Sequence, residues 1–195
     1  MNRQIPKQVQ AESTRAALLR RAELLFTEFG YAKTSIDEIV KQEQLTKGAF
    51  YYNFKDKRAI FEQVVDQFLD EMVGRITRTI EPMVDPWERA LTALEVYLEG
   101  CIQPAYRQIV LQEAPVVLGW ADWREKEKNS VIGLSTLLLQ ELVNSGDIRN
   151  KSIPMLAYIL FGAITEAAIG IAESDDPAEA RKQAKQILEL LLKSF

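Results

Sequence analysis

The sequence predicts an all-α fold of about nine helices, with an N-terminal three-helix helix-turn-helix DNA-binding unit and a helical bundle behind it. Three observations lead there. Apolar residues recur at three- and four-residue spacings along most of the chain, no run alternates apolar and polar residues as a half-buried strand would, and prolines fall at the ends of the periodic segments. With 195 residues, 47% of them apolar and 27% charged, the chain can build a sizeable core and lies far from disordered compositions.

The first helix is expected over residues 12–29. Leu18, Ala22, Leu25, Phe26 and Phe29 share one face, Arg15, Arg20 and Arg21 make the polar face basic, and Gly30 follows as a stop in the left-handed conformation. Ser35-Ile36-Asp37-Glu38 is a capping-box pattern opening a short second helix that ends near residue 43, with Ile36, Ile39 and Val40 inward. Thr46 caps a third short helix that contains Phe50, and Asp56 caps a long fourth. The fourth carries Ile60, Phe61, Val64, Val65, Phe68, Leu69 and Met72 on one stripe and reaches about residue 80 before Pro82. Further helices are expected over residues 86–100, 105–113, 121–145, 153–172 and 177–193, with Pro86 and Pro177 in first turns, where a missing N–H costs nothing. The apolar run 153–164 is interrupted by Thr165 and Glu166 short of the roughly 20 residues that span a bilayer, so no membrane partner is expected.

Composition narrows the chemistry. The absence of histidine and the single Cys101 exclude His-based metal sites, Ser-His and Cys-His pairs and intrachain disulfides. No phosphate-binding glycine motif occurs and the acidic residues are scattered, so an enzyme is disfavoured and no cofactor or metal is expected. Residues 1–10 lack the apolar stretch of a secretory signal, and a cytoplasmic location is expected. The formal charge of −4 is unevenly divided: residues 1–60 hold 11 Lys/Arg against 7 Asp/Glu, and residues 61–195 hold 13 against 21. A basic lobe on an acidic body suits a local encounter with phosphate, although short windows often differ by a few charges without any such partner.

Two short helices joined by a tight turn and braced on both sides form the geometry that places one helix in the DNA major groove, and residues 35–53 have that layout. Thr46, Lys47, Gly48 and Ala49 form the leading edge of the second: a hydroxyl and free N–H groups for phosphate, a cation, a glycine allowing close approach, and a methyl for a thymine methyl. Gly48 costs up to about 1 kcal/mol of helix stability against alanine, which calls for a reason other than the helix itself. Tyr51 and Tyr52 offer phenols to phosphate, while Phe50 and Phe54 anchor inward; core packing is the competing reading of all four. Lys57, at the positive end of the fourth helix, suits a nearby phosphate, with a solvated charge beside Asp56 as the alternative.

These residues carry a resemblance. Thr34-Ser35-Ile36-Asp37-Glu38-Ile39-Val40, Leu45-Thr46-Lys47-Gly48-Ala49-Phe50-Tyr51-Tyr52-Asn53-Phe54 and Lys57, after a first helix ending F-T-E-F-G-Y, resemble the DNA-binding domain of the tetracycline-repressor (TetR) family over about residues 12–65. The resemblance implies that Thr34, Ser35, Tyr51, Tyr52 and Lys57 meet phosphates while Thr46, Lys47, Gly48 and Ala49 face the groove. It divides the chain into a DNA-binding domain, residues 12–58, and a ligand-binding and dimerisation domain, residues 59–195. It further implies a ligand-responsive homodimeric repressor whose partners are double-stranded operator DNA, a second copy of itself and an unidentified small-molecule effector. One departure stands out: Glu43-Gln44 occupies the turn where the family has a small residue followed by glycine, and a left-handed Gln44 costs about 1 kcal/mol.

Beyond residue 65 the resemblance is one of layout. Tyr97, Cys101, Tyr106, Trp120, Trp123, Tyr158 and Phe161 have the makeup of an apolar cavity with a few polar tips, and plain core packing explains them as well. Gly162, Ala163, Ala167 and Gly170 keep one flank of a helix small, and Ala184, Ile187, Leu188, Leu191 and Leu192 form a stripe on the last helix. Two such helices from each of two chains make a four-helix dimer interface, and packing within one chain accounts for the same stripes.

Overall fold

The computed structural model describes residues 7–42, 45–149 and 152–195, with side chains from residue 12 onward. The turn formed by Glu43 and Gln44 lies outside the described residues. Among the described residues the fold has eleven α-helical segments, one π-helical segment and no strand.

Helix α1 (Lys7–Lys33) starts before the expected point and runs regularly to Phe29, where Gly30 breaks it with φ 78° and ψ 166°. The positive φ was expected; the ψ is extended rather than left-handed helical, a combination essentially restricted to glycine. Phe29 is 48% exposed, so it does not extend the inward face formed by Leu18, Ala22, Leu25 and Phe26. Helix α2 (Ile36–Gln42) opens on the expected capping box: the Glu38 N–H donates to Ser35 Oγ at 3.2 Å, and the Ser35 N–H donates to Glu38 Oε2 at 2.7 Å. Helices α3 (Lys47–Asn53) and α4 (Lys57–Ile80) are capped by Thr46, which accepts from the Ala49 N–H at 3.1 Å, and Asp56, which accepts from Ala59 at 2.8 Å. Phe26, Phe50, Phe61 and Ile39 are fully buried and join α1–α3 to the first turns of α4, with Phe26 and Phe61 edge to face at 5.1 Å. This is the head.

The rest is a helical body hung on α4: α5 (Pro86–Cys101), α6 (Pro104–Tyr106), a π-helical stretch (Arg107–Glu113), α7 (Ala114–Val117), α8 (Trp120–Lys128), α9 (Val131–Ser145), α10 (Ile153–Glu173) and α11 (Pro177–Lys193). Two segments depart from expectation. Residues 107–113 are π-helical, with the Ala114 N–H bonding back five residues to the Ile109 carbonyl. Pro115 follows directly and has no N–H to return to the carbonyl four residues before it, which favours the wider turn. The helix expected over residues 121–145 is two helices, interrupted at Asn129 and Ser130, residue types that favour local bonds over helix continuation.

Helix α10 does not stop at Thr165. Its 21 residues run close to the expected range of 153–172 and by length and hydropathy alone would suffice to cross a membrane. Leu156, Ala157, Leu160, Ile164, Ala168 and Ile171 are buried against the body, so core packing accounts for one face of this helix. Among the described residues, the other face, with Met155, Ile159, Gly162 and Gly170, is left exposed.

Candidate DNA interface and effector core

Cap chemistry builds the front of α3. With Thr46 accepting from Ala49, the first turn begins at Lys47, and Thr46, Lys47 and Gly48 are exposed while Ala49 is partly buried. Phe50 and Phe54 point inward, which leaves Tyr51 and Tyr52 outside at 55% and 82% exposure. Arg15 secures the far end of the helix: its guanidinium lies 4.4 Å over the Phe54 ring and donates to the Asn53 carbonyl at 3.1 Å and Gln63 at 2.9 Å. The sequence reading counted Arg15 only as part of a basic face. Its distant partners left no local signal.

Lys47 reaches back to Asp37 on α2 at 2.7 Å, and that hydrogen bond raises its pKa; both side chains are exposed. An exposed pair of this kind contributes little stability, so Lys47 can exchange Asp37 for another anion at small cost. Ser35 is also exposed, although its N–H and hydroxyl both donate to Glu38, and these bonds hold the Glu38 carboxyl below its usual range.

Two of the expected phosphate ligands are engaged inside the chain. Thr34 is 2% exposed and its hydroxyl is bonded to the Gly30 and Leu25 carbonyls at 2.8 and 3.2 Å, so the expected side-chain contact with phosphate is corrected to a structural role. Lys57 is not a solvated partner of Asp56. Its ammonium donates to the Tyr31 and Thr34 carbonyls at 2.7 and 2.8 Å and lies 4.2 Å from the centre of the Tyr31 ring. Partial burial pulls its pKa down, while Glu113 and Glu38 act in the opposite direction. Lys57 thus clamps the bend between α1 and α2.

The body reaches the same bend from the other side. Both oxygens of Glu113, at the end of the π-helical stretch, accept from the Tyr31 N–H at 2.9 and 2.8 Å. A Cβ on Gly30 would stand 2.6 Å from that carboxylate, so the glycine supplies space as well as backbone freedom. Arg58 adds bonds to the Leu118 carbonyl and Asp122, each at 3.0 Å.

Inside the body, Tyr97, Cys101, Tyr106, Trp123 and Phe161 are buried, as a cavity lining or plain core would both have them, and of these only Tyr97 and Tyr106 line a cleft. Tyr158 is half-buried. Trp120 is 63% exposed and packs on Trp123 from outside, which removes it from any enclosed cavity. Two clefts open beside this group. One, of about 510 Å³ including its mouth, is almost wholly aliphatic, with Tyr97 and Ser135 among its lining. The other, of about 440 Å³, includes Tyr106, Met72 and Arg75. The aliphatic lining, including Leu94, Leu138 and Leu160, was missed because such residues read as ordinary core.

Glu127 on α8 lines neither cleft and is fully buried, with neither carboxylate oxygen in a hydrogen bond of normal geometry. Burial pushes its pKa up to about 8, against the opposing pull of Arg124 and the Trp123 indole. The Tyr97 and Tyr106 hydroxyls and Trp123 Nε1 are also buried without hydrogen bonds of normal geometry. Tyr97, Cys101 and Tyr106 are close enough to one another and to Glu127 to perturb each other's ionisation, and burial raises the pKa of all three.

The expected dimer residues separate by face. Leu188 is buried in its own chain's core and is withdrawn from the interface. Ala163, Ala167, Ala184 and Leu191 pack partly against that core; Gly162 and Gly170 are exposed, with open space beyond them. Met155 and Ile159 on α10 and Ile187 and Leu190 on α11 are large apolar residues left exposed. Of these four only Ile187 had been singled out, although the i, i+4 and i+3 spacings mark the face.

Comparisons with known proteins agree over most of the chain. Residues 18–64 match the family described as bacterial regulatory proteins, tetR family, and residues 87–195 match the tetracyclin repressor-like C-terminal domain. The transposon Tn10 TetC protein of Escherichia coli is 27% identical over 88% of this chain and 87% of its own. The HTH-type transcriptional repressor KstR2 of Mycolicibacterium smegmatis is 25% identical over 94% and 91%. A TetR-family transcriptional regulator of Pectobacterium atrosepticum, solved by crystallography, superposes with a TM-score of 0.78 at 34% identity over 95% of each chain. With the capped α3 front, the braced head and both family matches in register, this chain belongs to the TetR family and is a DNA-binding transcriptional regulator.

Proposed function

We propose that the protein is a homodimeric repressor that leaves its operator when a small molecule occupies the body. The observation that carries this reading is the double attachment of the α1–α2 bend. Lys57 of the head holds its carbonyls and Glu113 of the body holds its N–H. Glu113 ends the segment that begins after Tyr106, a member of the buried polar group. A molecule that displaces Tyr106 therefore acts on the orientation of the head through one short helical piece. Thr46, Lys47, Gly48, Ala49, Tyr51 and Tyr52 would meet DNA, with Ser35 at the front of α2 as a further phosphate ligand. The exposed apolar face of α10 and α11 suits a second copy of the chain, since a two-fold dimer supplies two α3 helices for successive major grooves, about 34–36 Å apart.

The mechanism is a population shift: the effector lowers operator affinity by as much as it prefers the body conformation with mis-spaced heads. Moving a 99:1 balance to its reverse takes about 5.5 kcal/mol. Selection of binding sites from random duplex DNA, followed by sedimentation of the complex, tests the reading. The expected result is an inverted repeat bound by two chains or a multiple of two. Recovery of no preferred sequence, or binding as a single chain, overturns it.

A further inference from the structure

The buried polar group is unusual in what it lacks. Glu127 enters the interior from α8 with both oxygens unpaired, in a region where a lone carboxylate is strongly disfavoured. Two arginines lie near, and neither pairs with it. The Arg124 guanidinium sits over four rings, 4.9 Å from the centre of Phe161, 5.0 Å from Tyr158, 5.4 Å from Trp120 and 5.7 Å from Trp123. Arg75 on α4 is bonded to the Val96 carbonyl at 2.6 Å. The other titratable neighbours, Tyr97 and Cys101 on α5 and Tyr106 beyond it, are neutral groups whose burial opposes ionisation. The site thus holds one anion-forming group in no ion pair, with Arg124 as a nearby cation engaged on the rings, two phenol oxygens able to accept, and an indole N–H able to complete the carboxylate. Tyr97 belongs both to this group and to the aliphatic cleft, and Phe161 packs against the Tyr97 and Trp123 rings at 6.2 Å.

We propose that this group is the polar end of the effector site and selects organic cations: a compact apolar skeleton in the aliphatic cleft, with a protonated amine against Glu127, Tyr97 and Tyr106. The amine would donate to one Glu127 oxygen and to the phenol oxygens, and Trp123 Nε1 to the other carboxylate oxygen. The inference rests on the effector-released regulator proposed above. Burial holds Glu127 largely protonated near neutral pH, so pairing with an ammonium group releases the carboxyl proton to the buffer while the amine keeps its own.

The test uses three matched probes, cyclohexylmethylamine, cyclohexylmethanol and cyclohexanecarboxylate, titrated calorimetrically into the full chain in buffers of different ionisation enthalpy. The amine is expected to bind at least about tenfold more tightly than the alcohol, as hydrogen bonds to a charged group imply, with net proton release. Glu127→Gln should erase that preference, and Tyr106→Phe should reduce it while leaving alcohol binding in place. Equal or tighter binding of the alcohol or carboxylate, or an amine preference that survives in Glu127→Gln, overturns the proposal. Operator binding by fluorescence anisotropy in the same preparations separates the two readings. Operator release by the alcohol without amine preference removes the cation and leaves the regulator, whereas amine preference without operator release supports the site and removes induction.

Discussion

The head bonds most of its enclosed polar side chains to backbone, Arg21 Nε excepted, whereas the body leaves a cluster of them open. In the head, Thr34, Lys57 and Arg15 are all bonded to backbone carbonyls of neighbouring elements. In the body, the Tyr97 and Tyr106 hydroxyls, Trp123 Nε1 and the Glu127 carboxylate are buried without hydrogen bonds of normal geometry. A surface that must match a rigid duplex gains from having its supports tied down, because each satisfied bond removes an alternative orientation. A site that must receive a molecule needs donors and acceptors left open until it arrives. On the proposed function, the difference would separate presentation from reception within one chain.

The largest expected effect tests the open side of this contrast. Glu127 has a folded-state pKa of about 8 against an ordinary value of 4.5, so the folded chain holds a proton that the unfolded chain releases. Stability should therefore be highest below about pH 4.5 with respect to this group, fall as pH rises through the interval to about 8, and then level off, a loss of roughly 3–5 kcal/mol. Denaturant unfolding of the wild type and Glu127→Gln across that range measures it. Parallel pH profiles for the two would mean that Glu127 is not carrying a protonation penalty, and the contrast would fail.

A smaller effect is expected where the regions join. Gly30→Ala forces a side chain into a glycine-only conformation and pushes the Glu113 carboxylate off the Tyr31 N–H, for a loss of about 1–3 kcal/mol. Thermal unfolding should register it as a lower Tm, and an unchanged Tm would show that the bend is not held as described. The mildest test lies on the reading surface. Lys47→Ala should lower the salt slope of operator binding by about 1 with little change in Tm, because its present partner Asp37 is exposed. Lys57→Ala should do the reverse, lowering Tm with little change in slope, because its donors serve the chain's own carbonyls. Identical behaviour of the two lysines would erase the distinction between supporting and reading residues.

The head was legible in the sequence because its decisive interactions are local. Ser35 with Glu38, Thr46 with Ala49 and Asp56 with Ala59 are each three residues apart, a spacing that cap chemistry fixes in advance. The roles of Thr34 and Lys57 were misread because their partners are set by the bend after Gly30, whose extended ψ no spacing rule supplies. In the body, aromatic composition found Tyr97, Tyr106 and Trp123, yet Glu127 escaped. It stands in the run R-E-K-E-K at residues 124–128, which reads as a solvated face, and only the packing of α8 turns that one carboxylate inward. Glu113 could not be found at all: its partner lies 82 residues earlier.

The widened turn between Tyr106 and Glu113 gives that long-range connection a particular character. A π-helical stretch stores one surplus residue relative to an α-helix, and absorbing or expelling it rotates whatever follows by about 100°. A rotation of that size would carry Glu113, whose two oxygens grip the amide of Tyr31 here, clear of it. In the effector-released reading proposed above, such a joint would behave as a latch rather than a spring, and the signal passed between body and head would be stepwise.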